Sequence, residues 1–196
     1  PLAEAYLLRA QRLFEQAGDR EKALWAEAEL GWLYFLEKKY RLCVKTLLGV
    51  HTDAATPAWI KPRLLHYLAV AMLNAGELDR ALGYGEQAVE LLQQSGNGAA
   101  LARVLRFLAS VYERRGLPYE AIYRLEEARR LAQALGLGDW SHAWIDNQLA
   151  VMHLHVGQIE EAHRILDEAD RLLEPYRRLG SCSPLLDFVR IVRGHL

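Results

Sequence analysis

Small and apolar residues recur along this chain at positions i, i+4 and i+7. The clearest copies are Ala81-x3-Gly85-x2-Ala88, Ala121-x3-Leu125-x2-Ala128 and Ala162-x3-Leu166-x2-Ala169, after a looser Cys43-x3-Leu47-x2-Val50. That spacing gathers each triplet on one stripe of an α-helix. Five residues ahead of each triplet stands Gly76, Gly116 or Gly157, with Lys38 in the loose copy. The anchors at 43, 81, 121 and 162 are 38, 40 and 41 residues apart. A period of that length predicts stacked helical hairpins, each burying its apolar face on its neighbours.

The periodicity predicts a first helix over 2–17, whose Ala3-x3-Leu7-x2-Ala10 stands one period before Cys43. It reads as the second half of a hairpin. Full hairpins are predicted at 20–50, 59–94, 99–135 and 140–175, with a closing half-unit at 184–195, all in one domain spanning 1–196. Gly18-Asp19, Pro57 with Pro62, Ser95-Gly96-Asn97-Gly98, Gly136-Leu137-Gly138-Asp139, and Pro175 with Gly180-Ser181 mark the joints. Within hairpins, Gly76, Gly116 and Gly157 permit a left-handed helix end. Gly83 and Gly85 fall inside a predicted helix, where each costs about 1 kcal/mol relative to Ala, so close packing or a contact site is expected there. No stretch alternates with the period of a strand.

The residues of these hairpins resemble the tetratricopeptide repeat. Leu105-x2-Leu108-Ala109-x2-Tyr112-x3-Gly116-x4-Ala121-x3-Leu125-x2-Ala128 carries the likeness best. Leu65-x2-Leu68-Ala69-x2-Met72-x3-Gly76-x4-Ala81, Leu30-Gly31-x2-Tyr34 and Leu149-Ala150-x2-His153-x3-Gly157-x4-Ala162 follow it. The resemblance implies an all-α fold, a right-handed α-α superhelix of antiparallel hairpins that binds other molecules. Units of 38–41 residues are longer than the family's basic 34. In that they resemble the arrays of MalT-type and LuxR-like bacterial transcription regulators, Rap-type peptide sensors and kinesin light chains. The stretch 126–136 is closest to the first group. The resemblance thus implies a non-catalytic sensing arm of a bacterial transcription regulator, or an assembly scaffold without a small ligand.

In such arrays the first helix of each hairpin lines a concave groove. Helical spacing then selects Trp25, Trp32 and Phe35 in the first hairpin, and Arg63, His66, Tyr67 and Asn74 in the second. It selects Arg103, Arg106, Phe107, Ser110 and Arg114 in the third, and Trp144, Asn147, Gln148 and His155 in the fourth. Arginine forks beside aromatic rings fit a protein or peptide, or an anionic small ligand. The alternative is that the tryptophans pack between units and the arginines stand in water. The open ends, near Leu7, Leu8 and Phe14 or Leu186 and Phe188, offer a surface for self-association.

Composition narrows these readings. With 52% hydrophobic and 25% charged residues the chain is a folded one, and its net charge of −1 draws it toward neither nucleic acid nor membrane. Arg114-Arg115, Arg129-Arg130 and Arg177-Arg178 read as solvated helix ends. Cys43 and Cys182 form no framework, and Cys43 fills a slot that elsewhere holds Ala, so a reducing, cytoplasmic setting is expected. No run approaches a membrane span or a signal peptide. A first residue Pro, not Met, points to a segment of a larger protein. Nucleotide-loop, zincin, hydrolase and dinucleotide motifs are missing, so neither catalysis nor a cofactor is expected. His153 and His155 diverge on their helix and cannot readily share a metal; His153, in the aromatic packing slot, reads as a core residue.

Overall fold

The computed structural model describes residues 2–178. Its helices are α1 (Leu2–Gln16), α2 (Arg20–Leu36), α3 (Tyr40–Thr52), α4 (Lys61–Asn74), α5 (Leu78–Ser95), α6 (Gly98–Arg114), α7 (Pro118–Ala134), α8 (Asp139–His155) and α9 (Ile159–Arg178). The described residues contain no strand. None of these helices is long and apolar enough to cross a membrane. The chain divides into two compact units, one ending at Ser95 and the other beginning at Gly96. In the first, α1 to α5 pack each on the next; in the second, α6 packs on α7, α7 on α8 and α8 on α9.

The triplets explain the hairpins. Cys43, Leu47 and Val50, then Ala81 and Ala88, Ala121, Leu125 and Ala128, and Ala162, Leu166 and Ala169 are all essentially without exposure. Small residues bring each second helix against its partner, and the partner supplies a small residue in return: Gly31, Ala69, Ala109 or Ala150. At Gly31 the approach is close enough that an added Cβ would lie 2.6 Å from Leu47 Cδ2. Leucines such as Leu24, Leu68, Leu105 and Leu149 fill the space beside these contacts, each stabilising by roughly 1.5–3 kcal/mol on burial.

Each hairpin turns in the same way. Gly116 N–H donates to Glu113 O and Leu117 N–H to Tyr112 O, the pair of bonds that closes a helix through a left-handed residue. Gly76 and Gly157 repeat it, with φ of +79° and +76°. Lys38 repeats it too, at φ +59°, donating to Phe35 O while Lys39 N–H reaches Tyr34 O. The missing glycine changes the residue, not the turn. Asp19 and Asn97 cap α2 and α6 by accepting from Lys22 N and Ala100 N, and Pro62 and Pro118 occupy first-turn positions.

Three expectations from the sequence differ from the structure. Pro175 does not end its helix but lies inside α9, at an exposed position beyond the last buried stripe residue, Leu173. The apolar stripe upstream holds the helix, and the ring removes one N–H near its end. Gly83 is exposed with nothing within 4 Å of a Cβ, so close packing involves Gly85 alone. Arg129 sits in the body of α7 as a half-buried ion-pair partner, not at a solvated end. The predicted helix at 184–195, Cys182, Leu186, Phe188 and the side chains of Arg177 and Arg178 lie outside the described residues.

Candidate functional site

Two helix faces carry the residues selected by spacing. In the first unit, α2 and α4 bring Trp32 against Tyr67, ring centroids 4.5 Å apart and nearly parallel, and Phe35 stacks on the other side at 4.9 Å. Glu29, which the sequence pattern did not single out, ties this face together: Arg63 pairs with it at 2.8 Å and the Tyr67 hydroxyl donates to it at 3.2 Å. Arg63 is therefore already spent on an internal carboxylate. Trp25 packs half-buried against the core. His66 is half-buried beside Tyr67, and Asn74 is exposed, its amide donating to Val70 O.

The second unit is arranged differently. Arg106, half-buried on α6, lays its guanidinium 5.8 Å from the Trp144 ring centroid and donates to Gln148 Oε1 at 3.2 Å. Gln148 donates in turn to Ser110 Oγ at 3.1 Å. Arg103 is exposed one turn before Arg106. Among the described residues no carboxylate pairs with either arginine. Burial first, and the neighbouring Arg103 second, push the Arg106 guanidinium below its usual pKa. A half-buried cation with a second cation beside it and no counter-ion favours an incoming anion.

Trp144 and Gln148, the partners of Arg106, also line a cavity of about 130 Å³ with Ala109, Leu125, Val151, Met152 and Glu113. Trp144 keeps 39% exposure, unusual for so large an apolar ring. Phe107 is half-buried on α6, and Arg114 and His155 are exposed on the last turns of α6 and α8. Asn147 stands apart: the pattern placed it on the groove stripe, but it is fully buried, and neither amide atom has a hydrogen bond. His153 is buried as expected, its Nδ1 2.6 Å from Gln158 Oε1.

A further cluster escaped sequence reasoning. Asp146, 2% exposed, faces Arg129 across the α7–α8 contact, and Arg129 also pairs with Glu168 of α9. Arg129 Nε and Asp146 Oδ1 are 2.8 Å apart but out of line for a hydrogen bond, so this contact is charge against charge. Burial pushes the Asp146 carboxyl up to about 6, against the pull of Arg129. The signal was available: three residues ahead of Leu68 and Leu108 stand Leu65 and Leu105, and Asp146 holds that core slot ahead of Leu149. Glu27 holds it ahead of Leu30, and its carboxyl is likewise raised by burial. No group of His, Cys, Asp and Glu among the described residues is arranged to hold a metal ion.

Comparison with known proteins agrees with this architecture. No curated protein sequence matches the chain. Solved structures do. A Podosopora anserina kinesin light chain of nearly identical tetratricopeptide-like repeats is 20% identical, covering 88% of this chain and 95% of its own, with a TM-score of 0.63. MamA is 17% identical over 87% of this chain and 88% of its own, at 0.65. The Cut9–Hcn1 tetramer of the APC/C matches 93% of this chain with 34% of its own, at 17% identity and 0.67. These likenesses establish the fold. The tetratricopeptide repeat profile matches residues 62–134 and, overlapping them, 100–174, together more than half of the sequence. Proteins built of these repeats generally act as protein-interaction modules without catalytic activity of their own. On the buried triplets, the recurrent turn and this match, the chain belongs to the tetratricopeptide repeat family.

Proposed function

We propose that this chain is a protein- or peptide-binding module whose ligand docks on the α6/α8 face. The observation that carries the proposal is Arg106, a half-buried guanidinium over Trp144 without a counter-ion among the described residues, whose partners Trp144 and Gln148 line an apolar cavity. Such a site fits a peptide with an apolar side chain for the cavity and a carboxylate for Arg106 and Arg103. Glu113 lies seven residues beyond Arg106 on the same helix, roughly 10 Å along it, and accepts a donor at the ligand's other end. In the first unit, taken by itself, Trp25, Trp32, His66, Tyr67 and Asn74 offer a second, separate candidate face whose stacked rings supply contact area and whose Arg63 is held by Glu29. Selection of random peptides on the chain, with contacts mapped by NMR, tests this. Acidic-apolar sequences that perturb α6 and α8 are expected; enrichment of basic sequences, or contacts mapping elsewhere, contradicts it.

The lengthened period and the stretch 126–136 support the finer reading, a sensing arm of a bacterial transcription regulator. Its test is the parent reading frame: a nucleotide-binding or DNA-binding domain beside this segment is expected, and flanks made only of further hairpins contradict it. A scaffold reading is favoured by α1. Leu2, Tyr6 and Leu13 share one helix stripe and are 73%, 67% and 53% exposed, whereas Leu7 and Leu8 pack against the core. Concentration-dependent association in sedimentation, lost in Tyr6→Ser/Leu13→Ser, is the expected result of that reading, and a monomer at all concentrations refutes it.

A further inference from the structure

Four polar side chains among the described residues are buried, and three of them, Asp146, Asn147 and His153, sit on α8. Every other first helix presents apolar or small residues to its core, apart from Glu27, which is half-buried. On α8 the polar groups are poorly served. Asn147 has neither of its amide atoms bonded, and Asp146 Oδ1 meets Arg129 without a hydrogen bond. A buried polar group left unbonded costs about 1–3 kcal/mol, so this helix gains less from docking than its counterparts. Asp146 borders a cavity of about 670 Å³ that is also lined by Arg129, Gln133, the Gly136–Gly138 loop, Asp139, His142, Arg171 and Glu168.

From this geometry we infer that α8 is a proton-sensitive joint: it docks tightly on α7 and α9 when Asp146 is protonated, and opens more readily when Asp146 is charged. The groups facing Asp146 are Arg129 from α7, Glu168 and Arg164 from α9, and His142 from α8 itself. Arg129 is shared with Glu168, and Glu168 is shared with Arg164, so no cation is devoted to Asp146. Protonation removes the buried charge and leaves Arg129 paired with Glu168. The carboxyl is held near pH 6 in the docked helix and returns toward 3.8 when α8 opens into water. The charged form therefore favours opening by about a hundredfold, fully above pH 6 and not at all below 3.8. Trp144 and Gln148 are on the same helix. If the α6/α8 face is the binding face, which is the reading given above, its ligand binds more tightly in mild acid.

Hydrogen exchange of the intact chain between pH 5 and 7.5, corrected for intrinsic rates, tests the joint without any ligand. Protection of α8 amides (Asp139–His155) is expected to fall about tenfold across that range, while α6 (Gly98–Arg114) stays constant. Asp146→Asn holds α8 at its high-protection limit at every pH. Asp146→Leu, which restores the residue type of the equivalent slots, does the same and covers the case of an amide variant that folds poorly. His142→Asn keeps the dependence. Flat protection in the parent chain, a parallel fall in α6, or a pH dependence that survives both Asp146 substitutions overturns the inference. Because exchange is read without ligand, these outcomes are independent of whether the α6/α8 face binds a peptide.

Discussion

Lys38→Gly is expected to stabilise the protein. Among the described residues, Lys38 is the one non-glycine with positive φ, and it stands where the other hairpins place Gly76, Gly116 and Gly157. A side chain in the left-handed region costs about 1–2 kcal/mol. Glycine avoids that cost but loses about 0.5–1 kcal/mol more chain entropy on folding. The difference leaves a gain of about 0.5–1 kcal/mol. Nothing offsets it, since Lys38 is exposed and makes no ion pair among the described residues. The mirror variant is Gly116→Ala. Its Cβ meets no atom within 4 Å, so only the backbone responds, and a loss of about 1 kcal/mol follows. Urea denaturation followed by far-UV circular dichroism reads both, at unchanged slope. A lower midpoint for Lys38→Gly, or a higher one for Gly116→Ala, refutes the shared-turn reasoning.

Three further outcomes follow from the packing. Asp146→Asn removes a carboxyl whose folded value is raised, a cost absent below 3.8, growing up to about 6 and complete above it. The variant should therefore gain about 3 kcal/mol at pH 7 and only about 1 at pH 4.5 in chemical denaturation; a loss at pH 7 would show the Arg129 contact to be net stabilising. Cys43, without exposure and with its thiol pushed up to about 11 by burial, should resist alkylation at pH 8 until the chain unfolds; mass spectrometry of the labelled peptide decides. Ala121→Leu, at a fully buried contact between α6 and α7, should cost about 1–3 kcal/mol by overpacking, read as a lowered melting temperature.

The helices were legible because their signals are local. Triplet spacing and a turn residue five places ahead repeat four times, and the structure buries every full triplet. Pro175 misled because a proline reports only its own missing donor, not how firmly the stripe upstream is packed. The site was legible in part. Spacing selected Arg106, Trp144 and Gln148, which the structure brings together, but it could not tell them from Arg63, whose charge Glu29 already satisfies from another helix. Asn147 shows the same gap, since one residue's difference in register moves a side chain from surface to core. Asp146 was readable as an acid in a leucine slot. Its partner Arg129 was not, because a helix of the preceding hairpin supplies it.

The central proposal is that the α6/α8 face binds an anionic, partly apolar peptide. The direct measurement is the affinity of a fluorescently labelled acidic-apolar peptide, obtained by selection, for the parent chain and for Arg103→Ala/Arg106→Ala. Charged hydrogen bonds of about 1.5–3 kcal/mol predict at least a tenfold to hundredfold loss with helicity unchanged, steepening in the parent chain at low salt. Equal affinity in the double variant contradicts the claim and moves the binding face elsewhere.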